Sequence, residues 1–178
     1  PRAPVKDPHC LVLDLHDAHF GKLSWAAETG QNSDLRLSEQ VWKNAVSDLL
    51  RFTRGYEFDN VVVPVGSDFL HVDNLDRSTT NGTPQDADGR TYKIIATAEL
   101  AFVWMVEQLL GFKQVSLFYL PCNHDRLLSY CLARTVQAHF RHCKNVSVDV
   151  SPTSRKYVRY HDVLLGFAHG DVEKKGSL

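Results

Sequence analysis

The chain lacks a long hydrophobic run, an excess of one charge and any paired-cysteine motif. No apolar stretch in its 178 residues approaches the ~18–20 residues that a membrane span requires. Lys and Arg number 20 against 21 Asp and Glu, for a formal charge of −1. That balance supplies no global basic field of the kind that draws nucleic acid, although a local basic patch stays open. No signal peptide is visible: Pro1 to Pro8 is charged and proline-rich and reads as a loose arm. Cys10, Cys122, Cys131 and Cys143 form no Cys-x-x-Cys pair, which leaves a zinc ribbon or thioredoxin-type motif unsupported. Cys10 falls in a predicted strand and Cys131 on a predicted helix face, where buried free thiols are common. A reducing, cytoplasmic setting is the simpler expectation. The phosphate loop, the Gly-x-Ser-x-Gly elbow and the His-Glu-x-x-His helix are missing too. Ser67 follows Gly66 without the second glycine of an elbow and is a poor nucleophile candidate. With no internal repeat, low-complexity tract or linker signal, residues 1–178 read as one domain, large enough for a core without staples.

What is there is an alternation of strand and helix patterns. Strands are expected at 10–15, 61–65 and 115–120, then at 146–150, 156–160 and 163–167. Leu37, Val41, Ala45, Leu49 and Phe52 recur at helical spacing, widened by Trp42, Val46 and Leu50. Ile94, Ile95, Ala98, Ala101, Phe102, Met105 and Leu109 mark a second helix, with Gly111 as its expected C-terminal cap. A third runs from about Arg126 to Phe140. The alternation predicts an α/β fold, a layered β-sheet core flanked by helices and parallel in at least its first half. Residues 20–34 and 71–91 lack periodicity, and loops of that length are usually functional or disordered.

Polar clusters stand where the predicted strands end, the place where open α/β sheets collect ligands. His16-Asp17-Ala18-His19 follows the first strand and Gly66-Ser67-Asp68-Phe69-Leu70-His71 the second. Pro121-Cys122-Asn123-His124-Asp125 follows the third, and His169-Gly170-Asp171 the last. Carboxylate, imidazole and amide oxygen are donors that suit manganese, iron or zinc. Two such ions clamp a phosphoryl group and acidify water, while a histidine outside the metal shell can protonate the leaving oxygen. The clusters therefore predict a metal-dependent hydrolase. Taken singly, each has a plainer reading: Asp125, for example, is placed to cap the third helix. Their order and their common position at strand ends argue for a site.

In that order the clusters resemble those of the calcineurin-like metallophosphoesterases. Asp17-Ala18-His19-Phe20-Gly21-Lys22 looks like the family's Asp-x-His motif, Gly66-Ser67-Asp68 its Gly-Asp, Cys122-Asn123-His124-Asp125 its Gly-Asn-His-Asp/Glu, and His169-Gly170 its lone histidine. Asp68-Phe69-Leu70-His71 is similar to a segment of the DNA-repair exonuclease branch. Gly21 to Trp25 and Thr79 to Asp86 are similar to phage and prophage proteins of that branch. The resemblance implies two divalent ions, manganese by family habit, with Asp17 and His19 on the first, Asp68 bridging, and Asn123 and His169 on the second. It implies His124 as the acid or phosphate-orienting residue and His71 as its support. It also implies a phosphodiesterase or nuclease acting on DNA; the lack of a long apolar run, noted above, leads to the expectation of no membrane partner. A phosphoesterase-like module that binds without turnover and a small-molecule phosphatase are the alternatives.

Four departures mark the chain off from that pattern. Cys122 stands where the family has glycine, which is expected to strain the turn. Ser67 interrupts the Gly-Asp pair. Asp14-Leu15-His16 fits the first motif as well as Asp17 and His19 do: the strand end favours the former, the trailing Phe20-Gly21-Lys22 the latter. The final Gly-His-x-His is absent, since only Val172 to Leu178 follow the His169 cluster, so the chain is expected to be C-terminally incomplete. Elsewhere, His139, His142 and Cys143 read as ordinary helix-end residues, and Arg155, Lys156 and Arg159 as a solvated strand edge. Trp42 and Trp104 read as packing, whereas Trp25 could stack on a base.

Overall fold

The structure, a computed structural model, describes residues 9–171. The arm expected at 1–8 and residues 172–178 lie outside the described residues. Strands β1 (His9–Val12), β2 (Phe58–Gly66), β3 (Val115–Leu120) and β4 (Val146–Asp149) form one parallel sheet in chain order. Helix α2 (Leu35–Phe52), preceded by the short α1 (Ala26–Thr29), joins β1 to β2. Helices α3 (Thr91–Leu109) and α4 (Arg126–His139) make the next two crossovers. Strands β5 (Arg155–Tyr160) and β6 (Val163–Ala168) pair as a separate antiparallel hairpin. The expectation of a mixed α/β chain with helices on a parallel sheet is met.

Because strand order follows chain order, right-handed crossovers place the long helices on one face. Burial agrees. Val61, Val63 and Val65 of β2 and Val115, Leu117 and Tyr119 of β3 join Trp42, Phe102 and Val136 of the helices in the main core. Val62, Phe118 and Leu120 point the other way and pack with Val158 and Phe167 of the hairpin. Period-two alternation thus divides the apolar residues between helices above and hairpin below. Burial on both faces is why β2 and β3 read as continuous apolar runs.

Several boundaries and faces differ from the sequence expectation. β1 ends at Val12 instead of residue 15: Leu13 N still donates to Val62 O at 2.9 Å. Asp17 (φ 53°) and His19 (φ 45°) then adopt left-handed backbone, which no strand tolerates. In α2 the buried residues are Leu35, Trp42 and Val46, while Val41 and Phe52 lie exposed. Trp42 and Val46, read as widening the stripe, are thus its inward part, one residue or about 100° from the row of Leu37, Val41 and Ala45. α3 buries Ile94, Ala98, Ala101, Phe102, Met105 and Leu109 as expected. Its C-cap, however, is Leu110 in right-handed backbone, and Gly111 is not among the positive-φ glycines. Cys131 is exposed and Cys122 is the buried cysteine. No described helix is long and apolar enough to cross a membrane.

Candidate metal centre

The loop after β2 is shaped by three successive residues with positive φ: Gly66 (102°), Ser67 (57°) and Asp68 (60°). Gly66 cannot be replaced, because a Cβ there would sit 2.7 Å from the Leu120 carbonyl oxygen. Left-handed backbone costs an L-residue roughly 1–2 kcal/mol. Among the described residues, four of the six non-glycine residues that bear it are Asp17, His19, Ser67 and Asp68, and such strain gathers at functional sites. What holds them is the alternation that follows. Phe69, Leu70 and Val72 are buried in the core, and Phe69 packs against Phe20, Trp42 and Phe102 with ring centroids 4.9, 4.8 and 5.2 Å away. Backbone bonds from His19 N to Asp68 O (3.0 Å) and Phe20 N to Phe69 O (2.7 Å) lay the first loop along the second.

Asp68 is the meeting point. It is buried, and its Oδ1 accepts a hydrogen bond from His124 N at 3.0 Å. Its Oδ2 lies 3.4 Å from His169 Nε2, which in turn lies 2.9 Å from Asn123 Oδ1. Donor atoms of Asp17, His19 and Asp68 all fall within 4.8 Å of one another, as do those of His19, His71 and His124. The seven residues expected at the site are thus brought together from four strand ends. Asp14 and His16 are not: they pair with each other, which raises the His16 pKa chiefly through that hydrogen bond.

Two of the imidazoles, His19 and His71, are held toward the neutral form. Burial, then the neighbouring His124, lowers the His19 pKa, and burial, then His19, takes that of His71 to about 4. Neutral rings offer the lone pairs that a cation needs. One fully buried carboxylate oxygen pair, one exposed carboxylate and neutral imidazole within 4.8 Å make a donor set that fits a divalent ion. His124 Nδ1 lies 3.1 Å from the His71 carbonyl oxygen. That oxygen only accepts, so the Nδ1 proton is fixed there and Nε2 is left for chemistry.

The loop after β3 is held from within. Asp125 does not cap α4 with its side chain. Wholly buried, it accepts hydrogen bonds from Leu70 N and the Cys122 thiol, both at 2.7 Å. Burial pushes its pKa up to about 7, and burial together with Asp125 raises that of Cys122. Cys122 is not in left-handed backbone, so the strain expected of it is absent. The cap comes instead from Asp73, whose Oδ1 accepts from Leu127 N (2.8 Å) and Leu128 N (2.9 Å). Thr80 Oγ1 donates to Asp73 Oδ2 at 2.8 Å, and Thr80 N donates to Asn123 O at 3.2 Å. The 71–91 segment is therefore a brace for the site.

Of three further residues, only Lys156 departs from its sequence reading. Ser67 Oγ lies 2.9 Å from His169 Nδ1. Lys156, read as a solvated edge residue, is buried, with its ammonium donating to Asp149 Oδ2 at 2.9 Å and Ser151 O at 2.6 Å. Trp25 is exposed and is not among the residues lining the cavity beside His19, which Lys22, Asn32 and Ser38 do line. No sequence signal marks Ser67 or Asp73, since their partners lie far along the chain. No protein-family model, curated protein or solved structure matches the chain.

Proposed function

We propose that the chain is a two-metal phosphoester hydrolase of the calcineurin-like metallophosphoesterase type, acting as a phosphodiesterase on DNA. The observation that carries this reading is the convergence on buried Asp68 of donors from four strand ends. Asp17 and His19 would hold one divalent ion and Asn123 and His169 the other, with Asp68 as the carboxylate shared between them. Manganese is the expected metal by resemblance, and iron or zinc suits the same donors. Bound there, the ions would neutralise phosphoryl oxygens and acidify water. The chain supplies the rest. His124, its Nδ1–H committed to the His71 carbonyl, presents Nε2 to carry a proton to the leaving oxygen. His71 fixes that ring and borders His19 at 3.3 Å between Nδ1 atoms. The Lys22 charge is felt at both His19 and His71 and draws a phosphate toward them. Four free thiols fit a reducing, cytoplasmic compartment.

Elemental analysis after incubation with manganese tests the reading. The expected result is about two ions per chain, lost in Asp68→Ala together with hydrolysis of bis-p-nitrophenyl phosphate. Full metal binding in that variant would overturn it. Metal binding without turnover would favour the binding module. Faster turnover of mononucleotides than of DNA would favour the small-molecule phosphatase.

A further inference from the structure

A cavity of about 600 Å³ opens beside the loop that carries Asn123 and His124. That volume lies in the range of small-molecule pockets. Its position ties it to the candidate metal centre. Arg126 and Thr80 line it, and both are bonded to that loop: Arg126 Nε donates to Cys122 O at 3.2 Å, and Thr80 N to Asn123 O at 3.2 Å. Asp171, also in its wall, follows His169 by two residues.

The lining is mostly apolar and ring-bearing. Tyr119, Pro121, Leu127, Tyr130 and Pro152 supply it. Tyr119 and Tyr130 meet edge to face with centroids 5.4 Å apart. The Tyr119 hydroxyl is already committed, donating to Arg126 O at 2.7 Å. The Asp73 carboxylate in the wall is likewise occupied by Leu127 N, Leu128 N and Thr80. With Tyr119 buried, what the cavity offers is the half-buried Tyr130 ring and the Leu127 side chain, which is 60% exposed on the first turn of α4, with Ser154, Arg126 and Asp171 as the polar part of its wall. At the rim the Arg126 guanidinium sits 3.4 Å from Asp171, too long for a strong bond. A half-buried aromatic ring beside leucine and proline suits a flat aromatic group. Stacking of this sort accepts any base, because every base has a π face.

We propose that this cavity is the base subsite of the phosphoester centre, taking a nucleobase of the substrate against Tyr130 and Leu127. The proposal rests on the phosphoesterase reading above. It is tested by calorimetric titration of the full chain in manganese with dTMP, dAMP, 2-deoxyribose 5-phosphate and inorganic phosphate. A stacked base contributes ~1–3 kcal/mol, so both nucleotides are expected to bind roughly 5- to 150-fold more tightly than the sugar phosphate. Leu127→Ser and Tyr130→Ala, each checked for an unchanged melting profile, are expected to erase that difference. Sugar phosphate and nucleotides of equal affinity would overturn the proposal and leave the phosphoesterase reading standing, as would a base preference that survives both variants. Failure of all four ligands to bind would overturn that reading, and the subsite with it.

Discussion

At the scale of single residues, the two departures that look damaging in the sequence are bonded into the site. Ser67 separates glycine from aspartate, yet its hydroxyl reaches the outer nitrogen of His169. A hydroxyl both donates and accepts, so it can hold His169 with either ring nitrogen protonated. With Nε2 toward an ion, Nδ1–H would donate to Ser67 Oγ and fix the ring. Loss of such an outer partner typically costs 10- to 100-fold in metal affinity. Ser67→Ala is accordingly expected to weaken manganese binding by about tenfold with little change in thermal stability; unchanged affinity in calorimetry would refute the role. Cys122 is parallel. Its thiol supplies a hydrogen bond to a carboxylate with no access to water. Cys122→Ala should cost roughly 1–3 kcal/mol in urea unfolding, and Cys122→Ser, which keeps a donor, should recover much of it. Neither partnership is legible in sequence for the same reason. Ser67 and His169 are 102 residues apart, and whether Cys122 faces Asp125 depends on how a tight loop folds under Gly66.

At the scale of elements, the buried face of α3 was legible and that of α2 only in part, and the difference is physical. α3 is buried along most of its length, so any apolar stripe drawn through Ile94, Ala98 and Met105 finds the core. α2 lies at the margin and carries apolar residues on both an inward and an outward face, so spacing alone does not choose between Val41 and Trp42. The partner decides: the Trp42 indole donates to Ala101 O at 3.2 Å and its ring stacks on Phe102. The start of α4 makes a similar point. Asp125 occupies the cap position, but the core claims its side chain, and Asp73 caps the helix from the loop after β2. That one carboxylate joins the His71 loop to the helix behind the Asn123 loop. Asp73→Ala removes the acceptor of two N–H groups. A lost cap costs about 0.5–2 kcal/mol, and two donors left unpaired near buried residues put the expected value at the upper end. Urea unfolding should show it. Asp73→Asn, which retains one acceptor oxygen, should lose less.

At the scale of the whole molecule, the site is shared between two separately paired sheets. The parallel sheet delivers Asp68 and Asn123, while His169 arrives on the hairpin, whose strands pair only with each other. What seats the hairpin is a small apolar contact around Phe118 and Phe167, the Tyr160 hydroxyl donating to Asp59 Oδ1 at 2.7 Å, and the Lys156 ammonium on Asp149. The last of these depends on pH. Burial raises the Asp149 pKa, but hydrogen bonds from Ser151 and Lys156 outweigh it and hold the group below its ordinary value. A depressed folded-state pKa gives stability that is complete above the unfolded value and is lost as pH falls through the folded one. The hairpin should therefore loosen ahead of the parallel sheet below about pH 4. Hydrogen exchange by mass spectrometry reads this directly. Peptides from Arg155–Ala168 should lose protection on acidification while those of β2 and β3 keep theirs. Asp149→Asn should flatten that acid dependence, and Lys156→Met should weaken hairpin protection at neutral pH as well. Manganese should act in the opposite sense, because an ion held by Asn123 and His169 together binds only when the hairpin is seated, and mass action then favours that state. Hairpin protection that ignores both Lys156 and manganese would mean that His169 is held in place by something other than these contacts.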